Sequence, residues 1–195
     1  MTGIFFLASS RPIILPEEIQ EYNDRRIFDE PNKAFSLREA DEWYIKDVQR
    51  VLTLPYIYEV GGIGSYYFWV YIEKYMEIGD VIELLAIDHQ DKVRKYVDKI
   101  LANPQPIKIN VGSLTYTNQF GTFRLQPKTW IEDLKHRTLY TLRGVTTIVK
   151  YLHVGEYRWN NYNLKNVQLK NRSLFIFYAP IHGHFIQKRS KIRML

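Results

Sequence analysis

The sequence predicts an α+β fold: one domain with a mixed, largely antiparallel sheet and three or four short helices. Three observations carry this. Apolar runs of strand length recur along the chain, apolar residues at helical spacing interrupt them, and glycine- or proline-containing turns separate the two kinds of segment. At 195 residues, 46% hydrophobic, the chain is long enough to bury a real core.

Gly3 to Ser9 reads as a first strand covered on both faces, because Ile4, Phe5, Phe6 and Leu7 are apolar in succession. Pro16, with its fixed φ, suits the first position of a short helix reaching about Tyr22. Ser36 and Glu39 have the spacing of a capping box, which predicts a second helix with acidic Glu39, Asp41 and Glu42 early and Tyr44, Val48, Val51 and Leu52 as its apolar stripe. From Pro55 the pattern changes. Tyr56–Val60, the glycine-rich Gly61–Gly64 and the aromatic run Ser65–Tyr75 predict a long hairpin. Its second strand would carry Tyr66, Phe68, Val70 and Ile72 on one face and Tyr67, Trp69 and Tyr71 on the other. Both faces then need cover, or one is a binding platform. A phosphate-cradling reading of the glycines requires a helix after them, and a strand is expected there instead.

Val81–Ile87 is the next predicted strand. Asp88 is placed to cap a helix whose inner face is Val93, Tyr96, Val97, Ile100 and Leu101, ended by Asn103-Pro104. Ile107–Val111 follows as a strand, which suggests a right-handed parallel crossover. Leu114–Tyr116 and Thr122–Leu125 flank a hairpin turn, and Pro127 opens a short helix with Trp130, Ile131 and Leu134 inward. His136, with Lys135 and Arg137, complements the carbonyl end of that helix. Leu139–Leu142 and Val145–Leu152 are expected to pair around Arg143-Gly144. Alternation at Asn166–Lys170 predicts a half-buried strand that turns at Asn171-Arg172 into Leu174–Tyr178.

The absence of cysteine removes thiol nucleophiles, thiolate metal sites and disulfides. The apolar stretch Ile4–Ala8 is too short for a secretory signal, and no segment reaches the ~18 apolar residues a membrane span needs, so the expected compartment is the cytoplasm. Charge is unevenly spread. Residues 1–150 hold 19 basic and 20 acidic groups, a net of −1, against 8 basic and 1 acidic in 151–195, a net of +7. The organisation expected is therefore a near-neutral α+β body over 1–150 and a basic, mainly β region over 151–195 packed on the same domain.

That asymmetry points to an anionic partner, nucleic acid before acidic protein. The residues that would neutralise it are Arg158, Lys165, Lys170, Arg172, Lys188, Arg189, Lys191 and Arg193, with Tyr157, Trp159, Tyr162 and Phe185 available to stack on bases. The competing account sets the basic end against the acidic stretch from Glu17 to Glu42 within the same chain. A second function class is a metal-independent ribonuclease or phosphodiesterase. There His182 and His184 would act as general base and acid, and Arg189 would stabilise the charged transition state. The pair His182-Gly183-His184 is weak as a metal site, because a transition metal needs further ligands and Gly183 favours a turn. No metal or cofactor is assigned. A third class is an immunity-like protein-interaction module with exposed aromatics at its interface. No nucleophile elbow, phosphate-binding loop or dinucleotide fingerprint occurs, and oligomeric state is not legible.

Overall fold

The computed structural model describes residues 3–25, 33–88 and 92–151. They form one mixed sheet of eight strands, β1 Ile4–Ser9, β2 Ser36–Glu39, β3 Tyr56–Gly61, β4 Val81–Ile87, β5 Ile107–Asn110, β6 Thr115–Asn118, β7 Gly121–Arg124 and β8 Thr146–Val149, in the order β2-β3-β1-β4-β8-β5-β6-β7. Every neighbouring pair is antiparallel except β5 and β8. Five α-helices accompany it: α1 Glu17–Asn23, α2 Glu42–Val48, α3 Tyr66–Val70, α4 Val93–Ala102 and α5 Trp130–Lys135. The α+β class holds, with one helix beyond the expected number. No helix among the described residues is long and apolar enough to cross a membrane.

The extra helix comes from the segment expected to be the second arm of a hairpin. Gly62 and Gly64 take φ of 77° and 80°, which ends β3. Ser65 then caps α3, its hydroxyl accepting from the Phe68 amide at 3.1 Å. A continuous apolar run has no period that separates a covered strand from a buried helix, and here the cap and the glycines decide. The helix runs on as a π-helical turn, Tyr71–Tyr75, closed by the Met76 amide on the Tyr71 carbonyl at 3.0 Å. Phe68, Trp69, Val70, Tyr71 and Ile72 are all buried and build core, while Tyr66 and Tyr75 are exposed.

Four further expectations give way. Ser36 and Glu39 lie in β2 and form no capping box: α2 starts at Glu42 with Asp41 before it, because Arg38 pairs across the ladder with Glu59 and holds this segment extended. Asp88 does not cap α4, whose preceding residue is Lys92 and which has no side-chain cap. The segment β4-α4-β5 is no parallel crossover, since β8 lies between β4 and β5 and runs antiparallel to β4. Leu139–Leu142 is not a strand and forms no hairpin with β8. Leu139 instead joins the core, and its carbonyl accepts from Thr146 Oγ1 at 2.7 Å. The chain passes Arg143–Val145 beside Gln105–Ile107, where the Gln105 amide donates to the Arg143 carbonyl and the Ile107 amide to the Val145 carbonyl. Gly144 permits this, as a Cβ there would lie 2.1 Å from the Gln105 carbonyl oxygen.

The two sheet faces are covered differently. On one, Leu7, Ile82, Leu84, Ile107, Ile109, Tyr116 and Ile148 pack with Ile19, Phe35, Phe68, Trp69, Ile72, Trp130 and Leu134. On the other, Ile4, Phe6, Ala8, Leu85 and Ile87 pack with Val48, Val51, Leu52, Val93, Val97 and Ile100, so α2 and α4 cover the β1 and β4 part of that face.

Burial pushes the Tyr71 phenol from 10.0 up to about 12, with the nearby Arg11 guanidinium opposing the shift. The folded state therefore keeps a proton that the unfolded chain releases near pH 10. The stabilisation is complete below about pH 10 and is lost as pH rises through about 12. Urea titrations from pH 9 to 11.5 are expected to show a steeper loss of stability in the wild type than in Tyr71→Phe. Parallel profiles would refute this.

Candidate anion-binding surface

Strands β5 (Ile-Lys-Ile-Asn), β6 (Thr-Tyr-Thr-Asn) and β7 (Gly-Thr-Phe-Arg) place alternate side chains on opposite faces: Ile107, Ile109 and Tyr116 enter the core, the set on the other face is polar, and β7 is exposed along its length. Ladder register aligns the polar set. Thr147 of β8 lies beside Lys108, Lys108 beside Thr117, and Thr117 beside Thr122; the next row holds Val149, Asn110, Thr115 and Arg124. Each row crosses four strands, about 14 Å at the usual strand spacing. Register through Glu83 and Thr147 puts these rows on the face that carries α4. Among the described residues no helix covers this half of that face.

Apart from the buried Val149, the side chains of these rows are polar or charged. These four strands contain two cations, Lys108 and Arg124, and no carboxylate. Thr117 and Thr122 share a hydroxyl hydrogen bond at 2.9 Å. The Asn110 Oδ1 accepts from the amides of Gly112, Ser113 and Tyr151 at 3.0, 3.2 and 3.1 Å, which leaves the amide NH2 as this side chain's donor. Glu83 shares the row of Thr147, but its carboxylate is held by the Thr53 amide and hydroxyl at 2.6 and 2.7 Å and by the Leu54 amide at 3.3 Å.

The exposed face of α4 adds Lys92, Arg94, Lys95 and Lys99. Its one carboxylate, Asp98, is bound by Arg50 at 2.7 Å. Among the other cations, Arg11 pairs with Asp80 and Glu77, Arg38 with Glu59, and Lys150 with the carbonyls of Glu73 and Met76, and Lys108 is itself engaged. Lys92, Arg94 and Lys95 make no ion pair among the described residues. The spacings of Lys92 to Lys95 and Lys95 to Lys99 set like charges together, at a cost of about 0.2–0.5 kcal/mol per pair. A bound anion would remove that repulsion.

The same charge also divides at an earlier point in the chain. Residues 1–98 carry 11 basic and 18 acidic groups, a net of −7, and residues 99–195 carry 16 and 3, a net of +13. The change of sign falls at Asp98 and Lys99, after which no carboxylate occurs until Glu132. All four strands of the half-sheet β8-β5-β6-β7 come from the basic part and all four of β2-β3-β1-β4 from the acidic part. A running charge count finds this in the sequence; averaging over 150 residues hides it.

The predicted residues Arg158, Lys165, Lys170, Arg172, Lys188, Arg189, Lys191 and Arg193 lie outside the described residues. So do Tyr157, Trp159, Tyr162, Phe185, His182, His184 and the strands expected between 166 and 178. His136 does end α5 as expected, while the Arg137 guanidinium sits over the rings of Tyr116 and Phe123, at 5.3 and 4.9 Å. Of the acidic stretch, Glu18 is engaged by Tyr75 Oη at 2.8 Å and by Lys74 at 3.7 Å. On the opposite sheet face, between α3 with its π-helical turn and α5, lies a cleft of ≈ 440 Å³. The charged residues lining it, Glu73, Lys74, Lys128 and Glu132, cancel in sign.

Compared with protein-family models, curated proteins and solved structures, the chain matches none.

Proposed function

We propose that the chain is a non-catalytic cytoplasmic binding protein for an anionic partner, with nucleic acid favoured over acidic protein. The observation that supports this most is the electrical division of the sheet: a half without carboxylates, bearing Lys108 and Arg124, beside the exposed cations of α4. Cations bound to phosphates release condensed counterions, and threonine hydroxyls and the Asn110 amide supply neutral donors to phosphate oxygens. The eight basic residues from Arg158 to Arg193 extend the same charge along the sequence.

The test is binding of the full chain to a labelled 20-mer across a salt series. The logarithm of affinity should fall linearly with the logarithm of salt, with a slope of about −0.9 per duplex phosphate neutralised. Lys108→Glu/Arg124→Glu and Lys95→Glu/Lys99→Glu are each expected to weaken binding at least tenfold and to flatten the slope, with circular dichroism unchanged. No binding at low salt would overturn the proposal. Binding that both double variants retain in full would remove this surface from it.

A further inference from the structure

We infer that the preferred partner is a double-stranded nucleic acid held through its phosphates, an inference that rests on the anion-binding reading. Two routes lead a protein to nucleic acid. A single strand is recognised by aromatic rings on which unstacked bases lie, and a duplex, whose bases are already stacked, by charge and hydrogen-bond donors matched to its backbone. The described surface has the second set of groups.

Of the described rings nearest to it, Phe120 in the β6–β7 turn is 77% exposed but stands alone, giving no row of rings for successive bases, and the others are turned away or occupied. Tyr116 and Phe123 alternate to the other sheet face, beneath the Arg137 guanidinium. Tyr96 of α4 is half-buried, with the Lys99 ammonium 5.0 Å from its ring centre. Tyr151 is half-buried and already engaged. Trp43, 82% exposed, is the most open aromatic, but it stands at the start of α2 next to the exposed carboxylates Asp41 and Glu42, where a phosphate is repelled. What the surface offers is Lys108, Arg124, the threonine rows and the cations of α4, fixed on a sheet and a helix that need no ordering on binding. A duplex carries one charge per about 1.7 Å of axis, twice the density of one of its strands, so a surface that reads only charge and donors favours it.

The experiment compares the full chain on a 20-base-pair duplex and on each of its separated strands, at matched low salt, with a second duplex of unrelated sequence. The expected result is duplex affinity at least fivefold above either strand, equal between the two sequences, and falling at least tenfold in Lys108→Gln/Arg124→Gln. Equal or tighter binding of a single strand overturns the duplex inference and leaves the anion-binding reading standing. A marked preference between the two duplexes also overturns it, since backbone contacts carry no sequence information. Failure of all of these probes to bind removes the anion-binding reading itself.

Discussion

Gly62→Ala is expected to destabilise the fold by about 3 kcal/mol, lowering the melting temperature by roughly 6–12 °C for a chain of this size. Two costs combine. The φ of 77° is one that alanine adopts at about 1–2 kcal/mol. The added Cβ would also lie 1.9 Å from the Ala34 carbonyl oxygen and 2.9 Å from its carbon, and a backbone group cannot swing aside as a side chain can. Gly79→Ala separates the two: its φ of 95° is similarly unfavourable, but nothing lies within 4 Å of the new Cβ. That variant should lose only about 1–2 kcal/mol. Urea unfolding of both, followed by circular dichroism, checks this. Equal losses would mean that the close approach at Ala34 does not constrain the turn between β3 and α3.

Glu83→Ala is expected to cost a similar amount, about 3 kcal/mol, for a different reason. The side chain is buried in β4, and its carboxylate accepts from three donors at the exit of α2: the Thr53 amide, the Thr53 hydroxyl and the Leu54 amide. Removing it strands two backbone amides and a hydroxyl, and desolvated donors without acceptors cost more than the bonds themselves contributed. Glu83→Gln keeps one acceptor oxygen and should fall between wild type and Glu83→Ala. The same melts report the outcome, and an alanine variant within 0.5 kcal/mol of wild type, roughly the range of ordinary surface substitutions, would refute the assignment.

Much of the fold is legible in the sequence where a segment's local signals agree. β1, β4 and β5 follow from apolar and alternating runs, the β6–β7 hairpin from its turn, α1 from Pro16, and α4 and α5 from apolar spacing. Pro16 shows the usual precision: it precedes α1 rather than opening it, a slip of one residue. The failures fall where local signals conflict with distant partners. Ser36 and Glu39 suit a cap, but the Arg38–Glu59 pair lies across a ladder that sequence spacing does not display. The apolar run after Ser65 satisfies a strand and a buried helix equally, and its fate depends on positive φ at Gly62 and Gly64. Leu139–Leu142 has strand composition, yet its neighbours in space are core residues rather than a ladder partner.

The surface proposed for anion binding was half legible. Lys92, Lys95 and Lys99 fall on the polar side of α4, as its apolar spacing implies, whereas Thr117, expected in the hairpin turn, lies in β6. What makes them one surface is strand order.

By itself, the sequence determined the α+β class, the identity of most elements, the exclusion of thiol chemistry and the excess of positive charge toward its C-terminal end. These are properties of composition and short-range period, set by how a helix or strand distributes its own side chains. Only the tertiary structure decided that β8 enters between β4 and β5, so that strands from the basic part stand side by side, Lys108 two strands from the Arg124-bearing edge and α4 on the same face. That outcome depends on hydrogen-bonded ladders between residues up to 83 apart, Ile4 with Ile87, with Phe6 and Glu59 at a separation of 53 and Val81 and Val149 at 68, and on a glycine at 144 that admits the return of the chain. Contacts at such separations are fixed by the packing of the whole sheet, and no local period encodes them.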